Sequence, residues 1–326
     1  MAKRELGPAT LAVVQAVDDA VSSAMLVGCS GGPDSLALAL AAAVVARSRG
    51  LGLRVVVIDH GLQPGSREQA EGVVAQLAER GIQALAMSVL VDTTGEGIEA
   101  AARRARYEAL SAAAAGDEVV LLGHTLDDQA ETVLLGLARG SGTRSLAGMP
   151  PGRGRFLRPL LGLRAELTRE ACREAGLPWW DDPHNAATRF TRVRVRTRVM
   201  PTLEAELGPG VAEALARTAR LARADADLLD GLAARERASH PGDELEAGWL
   251  AALPEALRHR VLRDWLRERG SGDLGAGHIW AVAALVTDWH GQGDVDVPGA
   301  RVRRRHGSLR CTPLEASRGS AEAANR

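Results

Sequence analysis

The chain has 326 residues, of which 46% are hydrophobic and 25% charged, and its formal net charge at pH 7 is −1. This length suits two domains better than one, and the balanced charge excludes a uniformly basic nucleic-acid-binding protein. Cys29, Cys172 and Cys311 form no Cys-x-x-Cys pair, which predicts a reducing compartment and no thiol-bound zinc or iron–sulfur centre. Because we find neither a leader pattern nor a membrane-length apolar run, we expect a cytoplasmic protein with no membrane partner.

Residues 9–122 alternate between helix patterns and short apolar strand patterns. The strand patterns are apolar on both faces, as in parallel sheets that are covered by helices on both sides. The alternation therefore predicts an α/β fold with a doubly wound parallel sheet, in which ligands bind at the carboxyl ends of the strands. The predicted strands are 25–27, 53–59, 82–90 and 118–122, and the predicted helices are 9–22, 36–46, 70–80 and 98–114.

The turn after the first strand has a composition suited to binding an anion. Its glycines permit positive φ and a close approach of a ligand, and its proline favours the start of a helix. The first N–H groups of that helix are unpaired, and the helix dipole attracts negative charge, so phosphate is the expected ligand. The alternative is an ordinary turn capped by a serine or an aspartate. The turn consists of Ser30, Gly31, Gly32, Pro33, Asp34 and Ser35.

These six residues resemble the PP-loop, SGGxDS, of the N-type ATP pyrophosphatases. The resemblance implies cleavage of ATP to AMP and pyrophosphate while a substrate oxygen is adenylated. It also implies that residues 30–35 hold the pyrophosphate and that Asp34 serves Mg²⁺. The turn lacks the Gly-Lys-Ser/Thr end of a Walker A loop, so it is a different kind of phosphate site.

Asp59 and His60 close the second predicted strand. The simplest interpretation is a turn in which Asp59 caps the chain and Gly61 bends it. Similar enzymes carry an acid-His-Gly-Leu-Arg segment beside the nucleotide, so the resemblance places Asp59 and His60 at ATP. Gln63 stands where the family usually has arginine.

The predicted helix 98–114 carries Glu99, Arg103, Arg106 and Tyr107 at helical spacing. A solvated face with i,i+4 charge pairs would have the same spacing. The pattern E-x-x-A-R-x-x-R-Y also matches one branch of the PP-loop family, in which Arg103 would offset phosphate charge.

His124, Asp127, Asp128 and Glu131 follow the fourth predicted strand. If a helix begins near Thr125, these four side chains lie on one face, aimed at the strand ends. Clustered acids repel one another unless a cation lies among them, which favours Mg²⁺ or a substrate amine. A zinc site is a weaker interpretation because no second histidine stands at i+4.

Three motifs together, HxxDDQAET, RGSGxxxLxGM and RPLL, resemble the tRNA(Ile)-lysidine synthetase family. The resemblance implies ATP, Mg²⁺, free L-lysine and a tRNA(Ile) with a CAU anticodon, whose wobble cytidine becomes lysidine. It leaves open whether the protein is a homodimer, and Ser145 replaces a glycine that the family often has. Asp127 is a candidate substrate contact, and Asp34 and Glu131 are candidate Mg²⁺ ligands. The candidate catalytic residues are Asp34, Arg103, His124, Asp128 and Glu131.

Residues 192–198 carry arginine at every second position and resemble the family's R-N-x-I-R segment, with Val193 in place of asparagine. If the segment is extended, Arg192 and Arg196 lie on one cationic edge that would meet tRNA. If it is helical, the arginines are distributed around the helix and surface solvation is the simpler interpretation.

The sequence changes character after residue 206, which predicts a catalytic domain over 1–215 and a mainly helical tRNA-binding domain over 216–314. Helices are expected at 212–237, 250–270 and 278–289, and a disordered tail at 315–326. Residues 301–306 contain four arginines and no acid, so this predicted strand is a candidate phosphate contact through Arg303, Arg304 and Arg305.

Three other functions compete with the lysidine hypothesis. A PP-loop enzyme of tRNA 2-thiolation would need a Cys-x-x-Cys pair, which the sequence lacks. An amidotransferase-type relative would need a glutaminase domain or partner. A non-catalytic ATP sensor would have no reason to cluster His124, Asp128 and Glu131. Pyrophosphate release with and without tRNA would separate a sensor from an enzyme.

Overall fold

The structure is a computed structural model that describes residues 6–59, 61, 65–92, 97–140, 142–180 and 188–314. It divides into two compact units: Met1–Leu135 with Gly148–Ala219, and Gly136–Ala147 with Arg220–Arg326. No helix within the described ranges is long and apolar enough to cross a membrane. The predicted disordered tail, 315–326, lies outside the described residues.

A six-stranded sheet forms the centre of the first unit. Its order is β3-β2-β1-β4-β6-β5, and every neighbouring pair is parallel except β5 with β6. The chain moves outward from β1 to β3 and then returns to β4 on the other side of β1, so the carboxyl ends of β1 and β4 flank a topological switch point. The strands are β1 Met25–Cys29, β2 Leu53–Asp59, β3 Ala84–Ser88, β4 Val119–Leu122, β5 Gly152–Arg153 and β6 Phe156–Leu157.

Helices cover both faces of this sheet, as the strand patterns predict. Alternate residues of β1 point to opposite faces: Met25 and Val27 belong to the core beneath α1, α2 and α7, and Leu26 packs with Leu110 of α4 on the other face. The doubly wound α/β architecture is therefore confirmed. The helices up to residue 239 are α1 Pro8–Ala20, α2 Pro33–Arg49, α3 Ser66–Ala78, α4 Ile98–Ala113, α5 Leu126–Ala138, α6 Thr143–Leu146, α7 Ala165–Glu174, α8 Thr191–Arg194, α9 Met200–Leu207 and α10 Val211–Ser239.

The segment 192–198 is helical, so the extended alternative is wrong. Helix α8 continues through a wide π-turn, Val195–Val199, directly into α9. The Arg194 amide bonds the Phe190 carbonyl at 3.1 Å, and the Thr197 hydroxyl bonds the Val193 carbonyl at 2.8 Å. Helical geometry places residues four apart on one side, so the side chains of Arg192 and Arg196 can reach the same partners.

The second unit combines helices with a small antiparallel sheet in the order β7-β10-β9-β8. The helices and the strand at 301–306 were predicted, and the other three strands were missed. Strands β9 and β10 are joined by His306 and Gly307, which both have positive φ, as a two-residue hairpin turn requires. The elements are β7 Leu245–Glu246, α11 Ala247–Ala252, α12 Glu255–Glu268, α13 Ala276–Thr287, β8 Val295–Val297, β9 Ala300–Arg305 and β10 Ser308–Pro313.

Candidate active site

The PP-loop turn connects β1 to α2 as predicted, and its shape depends on glycine. Gly31 has φ +79°, and a Cβ there would stand 2.8 Å from Val73 Cγ2. Ser35 Oγ accepts the Ser30 amide at 3.0 Å and donates to the Gly32 carbonyl at 3.0 Å, which fixes the loop. No side chain of the described residues caps the start of α2. The first N–H groups of a 17-residue helix therefore point into the turn, where an anion would bind.

Asp34 lies in the first turn of α2 and is held from a distant helix. Thr168 of α7 is fully buried, and its hydroxyl donates to Asp34 Oδ1. Burial raises the pKa of Asp34 to about 6; the Thr168 hydrogen bond opposes this shift, and the neighbouring Asp128 carboxylate adds to it. A carboxyl with this pKa gains from a nearby cation, which would favour its ionised form.

The end of β4 lies directly against this turn. A Cβ at Gly123 would stand 3.1 Å from the carbonyl carbon and oxygen of Asp34, so only glycine allows this approach without a shift. His124 and the start of α5 follow at once. The Thr125 amide donates to Asp128 Oδ2 at 2.9 Å, which caps α5 and fixes the Asp128 carboxylate.

Asp128 and Glu131 share two arginines. Arg196 donates to Asp128 Oδ1 at 2.9 Å and to Glu131 Oε1 at 2.6 Å. Arg192 donates to Glu131 Oε2 at 2.8 Å and to Asp128 Oδ1 at 3.2 Å. Burial alone would raise the pKa of Asp128, but Arg192 and Arg196 outweigh it and hold that pKa below its ordinary value. The cations that the clustered acids require are thus supplied within the chain.

These contacts affect which residues fit Mg²⁺. Both oxygens of Glu131 accept hydrogen bonds from arginine, and its side chain is only 2% exposed, so Glu131 does not fit a metal ligand in this arrangement. Asp34 fits better because its Oδ2 accepts no hydrogen bond from any described residue. One carboxylate together with substrate phosphates is a common Mg²⁺ environment. The described residues contain no group of three or more His, Cys, Asp or Glu able to hold a metal by themselves.

Asp127 does not join the acidic face that the spacing predicts. Its Oδ2 accepts the Ala165 amide at 2.7 Å, and its Oδ1 lies 3.1 Å from Arg164 Nη2. Asp127 therefore stabilises the start of α7, where a negative charge is favourable. Its role as a substrate contact has no support in this geometry.

Asp59 ends β2 and is 8% exposed, and its Oδ1 accepts the Gly61 amide at 2.9 Å. This is the turn that the simpler interpretation of the sequence predicts. His60 and Gln63 lie outside the described residues, as do residues 181–187 and the side chain of Glu99.

A cluster of arginines lies near His124. Arg158 is 6% exposed and donates to the Tyr107 hydroxyl at 3.0 Å and to the Pro150 carbonyl at 2.9 Å. Arg103 donates to the same hydroxyl at 3.2 Å, and Arg106 lies 5.9 Å from the centre of the Tyr107 ring. Burial lowers the pKa of His124 to about 3, and the three arginines contribute to this decrease against the opposing charge of Asp128. His124 is therefore neutral at neutral pH.

The three predicted tRNA-contacting arginines of β9 differ in their surroundings. Arg304 donates to the Leu285 carbonyl at 2.9 Å and its guanidinium lies 5.2 Å from the centre of the Trp289 ring, so it joins β9 to the end of α13. Arg303 is half-buried and lies 3.4 Å from Asp294. Arg305 is exposed. The strand thus presents Arg303 and Arg305 on the face opposite to Arg304.

Sequence reasoning missed several residues of the site. Thr168 lies in none of the sequence motifs, and only the packing of α7 beside the PP-loop reveals its contact with Asp34. The structure also joins two motifs: Gln129 of HxxDDQAET donates to the Met149 carbonyl at 3.0 Å and accepts the Met149 amide at 2.7 Å. Arg158 lies in the RPLL motif, so a signal for it was present, although the motif alone did not indicate its role.

Family models match both parts of the chain. Residues 9–203 match a PP-loop domain, and residues 245–310 match the TilS substrate binding domain. In the solved structures, the U34-tRNA thiolase NcsA from Methanococcus maripaludis with its [4Fe-4S] cluster has a similar fold, with a TM-score of 0.51 and 18% identity over 66% of this chain and 80% of that chain. This likeness concerns the fold alone.

Curated relatives extend the similarity over most of the chain. The tRNA(Ile)-lysidine synthase of Leifsonia xyli subsp. xyli is 52% identical over 298 residues, which cover 89% of this chain and 90% of that protein. The tRNA(Ile)-lysidine synthase of Thermobifida fusca is 52% identical over 291 residues, which cover 87% of this chain and 90% of that protein. Since a PP-loop model spans more than half of the sequence and these relatives match nearly all of it, the chain belongs to the tRNA(Ile)-lysidine synthase family.

Proposed function

We propose that this chain joins free L-lysine to C2 of the wobble cytidine in a tRNA(Ile) with a CAU anticodon, using ATP and releasing AMP and pyrophosphate. The main structural support is the close approach of Gly123 to Asp34, which sets the residues that follow β4 against the PP-loop. A site for a leaving pyrophosphate and a site rich in carboxylates and arginines therefore lie side by side. An ATP-dependent ligation needs both.

In the first step the O2 atom of the cytidine attacks the α-phosphorus of ATP, and the bond to the bridging oxygen of the pyrophosphate breaks. The free N–H groups of the turn, including those of Asp34 and Ser35 at the start of α2, receive the negative charge of the leaving pyrophosphate. Asp34 would hold Mg²⁺, which offsets phosphate charge when bound. Arg103 stabilises the charge on the phosphoryl group that stays on the cytidine.

In the second step the ε-amine of lysine attacks C2, the C2–O bond breaks, and AMP leaves with that oxygen. The amine must be neutral to attack, and it loses a further proton after the C–N bond has formed. His124 and Asp128 lie at the end of β4 and are the two candidates to accept this proton. His124 is neutral at neutral pH, so a ring nitrogen can accept a hydrogen bond from the attacking amine and orient it.

Incorporation of labelled lysine into tRNA tests the proposal directly. We expect incorporation that requires ATP and releases one pyrophosphate for each lysine, and we expect Asp34→Ala to abolish both while its circular dichroism spectrum stays unchanged. A thiolation enzyme would transfer no lysine, and an ATP-binding sensor would release no pyrophosphate. Normal adenylation by Asp34→Ala would contradict the assigned role of Asp34.

A further inference from the structure

The cluster around Tyr107 contains more positive charge than the described residues neutralise. None of Arg103, Arg106 and Arg158 forms an ion pair with a carboxylate among the described residues. The Asp128 carboxylate acts electrostatically on Arg106, but it is already bound by Arg192 and Arg196.

Several polar atoms in the same place are buried without a hydrogen-bond partner among the described residues. They are Arg106 Nε, Arg158 Nε and His124 Nδ1, and Arg158 as a whole is 6% exposed. An unpaired buried donor typically costs about 1–3 kcal/mol, more if it is charged. Burial and the Arg103 charge lower the pKa of Arg106, which is a further sign that its positive charge lacks compensation.

We propose that Arg106 and Arg158, with the hydroxyl of Tyr107 and His124 beside them, form a binding site for a phosphate oxyanion that is distinct from the N–H groups of the PP-loop. A guanidinium offers several donors in a planar fork that matches phosphate oxygens, so the buried Arg158 and the half-buried Arg106 suit this ligand. The PP-loop accepts the departing pyrophosphate, whereas this cluster accepts a phosphate that remains during the second step. The phosphate belongs either to the nucleotide or to the tRNA backbone.

A purely structural role for Arg106 would predict different behaviour. Arg106 is half-buried, its Nε has no hydrogen-bond partner among the described residues, and no described carboxylate pairs with it, so its removal deletes an uncompensated charge. We therefore expect Arg106→Gln to keep or raise the melting temperature of the protein without ligand. An arginine needed for the fold would lower it when removed.

The first test measures binding of inorganic phosphate and of AMP by calorimetry and by the rise in melting temperature. We expect Arg106→Gln and Arg158→Gln each to weaken the binding of inorganic phosphate at least tenfold, and the effect on AMP is used below to identify the source of the phosphate. Arg153→Gln is the matched control, because Arg153 is an exposed arginine in the strand before Arg158. If Arg158→Gln fails to fold, Arg158→Lys can replace it. Lysine keeps the positive charge but lacks the planar guanidinium that makes two parallel hydrogen bonds, so phosphate binding should weaken by a smaller factor. Unchanged phosphate affinity in the Arg106 and Arg158 variants would overturn the proposal.

The second test identifies the source of the phosphate. If it belongs to the nucleotide, Arg106→Gln weakens AMP binding and leaves the affinity for an anticodon stem–loop RNA unchanged. If it belongs to the RNA backbone, the same variant weakens RNA binding and flattens its salt dependence. A variant that weakens neither would rule out the site. The inference rests on the proposed function only in the choice of AMP and of an anticodon stem–loop RNA as ligands. Binding of inorganic phosphate can be measured even if no lysidine is made.

Discussion

The hydroxyl of Thr168 donates a hydrogen bond to Asp34 Oδ1, although 134 residues separate them in sequence. Thr168 is fully buried on α7, and Cys172 one turn later donates to the Pro33 carbonyl at 3.4 Å. Helix α7 therefore fixes the first turn of α2 and leaves the other oxygen of Asp34 for a cation. This contact makes Thr168 a positioning residue.

Replacement of Thr168 tests that role. We expect Thr168→Val to lower Mg²⁺ affinity and the adenylation rate by about 10–100-fold, the usual effect of losing a residue that orients a metal ligand. Thr168→Ser is the control and should retain most of the activity, because it keeps the hydroxyl. The measurement is adenylated tRNA formed at several Mg²⁺ concentrations. Equal loss in both variants would show that the methyl group, and not the hydrogen bond, matters.

Asp34 should make the protein less stable at neutral pH. Its folded-state pKa of about 6 lies above the ordinary value of 3.8, so the folded state binds a proton more tightly than the unfolded state. Stability contributed by the protonated form is then lost as pH rises from about 4 to 6. We expect Asp34→Asn to raise the free energy of unfolding by about 1–3 kcal/mol at pH 7.5 and by much less near pH 4. Urea denaturation at both pH values measures this, and a pH-independent difference would contradict it.

Arg196 should matter for stability as well as for turnover. Its loss leaves the buried carboxylate of Glu131 with Arg192 alone, and we expect Arg196→Ala to cost about 1–3 kcal/mol, since part of the Arg196 side chain is exposed and its charge is screened there. Arg198→Ala is the control, because Arg198 is exposed in the same helical segment. A double-mutant cycle with Glu131→Gln measures the coupling, and additive effects would show that the pair is not coupled.

His124 should act in the second step. We expect His124→Ala to lower lysidine formation by about 10²–10⁴-fold, the range for a lost proton acceptor, while adenylated tRNA accumulates. Its low pKa also means that no ionisation of His124 appears in the pH profile between pH 6 and 8. Single-turnover experiments with labelled ATP and labelled lysine separate the two steps. If both steps slow equally, His124 also serves ATP.

The arginines of β9 should separate into two classes. We expect the double variant Arg303→Ala, Arg305→Ala to raise the tRNA KM with little change in ATP affinity. The slope of log tRNA affinity against log salt concentration should fall by about 1 for each phosphate that the protein no longer binds. Arg304→Ala should instead lower stability by about 1–2 kcal/mol, because it removes carbonyl hydrogen bonds and the interaction with Trp289. Unchanged tRNA binding at all salt concentrations would show that Arg303 and Arg305 are solvated surface.

Local sequence alone determined strands β1 to β4, the helices between them and several candidate site residues. Alternating apolar strands and helices identify the doubly wound sheet, because residue periodicity follows directly from backbone geometry. The order of glycines, proline and aspartate in residues 30–35 likewise predicts an anion-binding turn at the end of β1. Both depend on residues close together in the chain.

Contacts between distant segments needed the tertiary structure. Whether 192–198 is helical or extended could not be read from alternating arginines, and only the helical form brings Arg192 and Arg196 to Asp128 and Glu131. The same holds for Thr168 with Asp34, for the separate role of Asp127 at the start of α7, and for the short strands of the second unit. Each of these depends on partners supplied by chain folding, because a side chain's charge and hydrogen bonds are set by whatever lies around it in three dimensions.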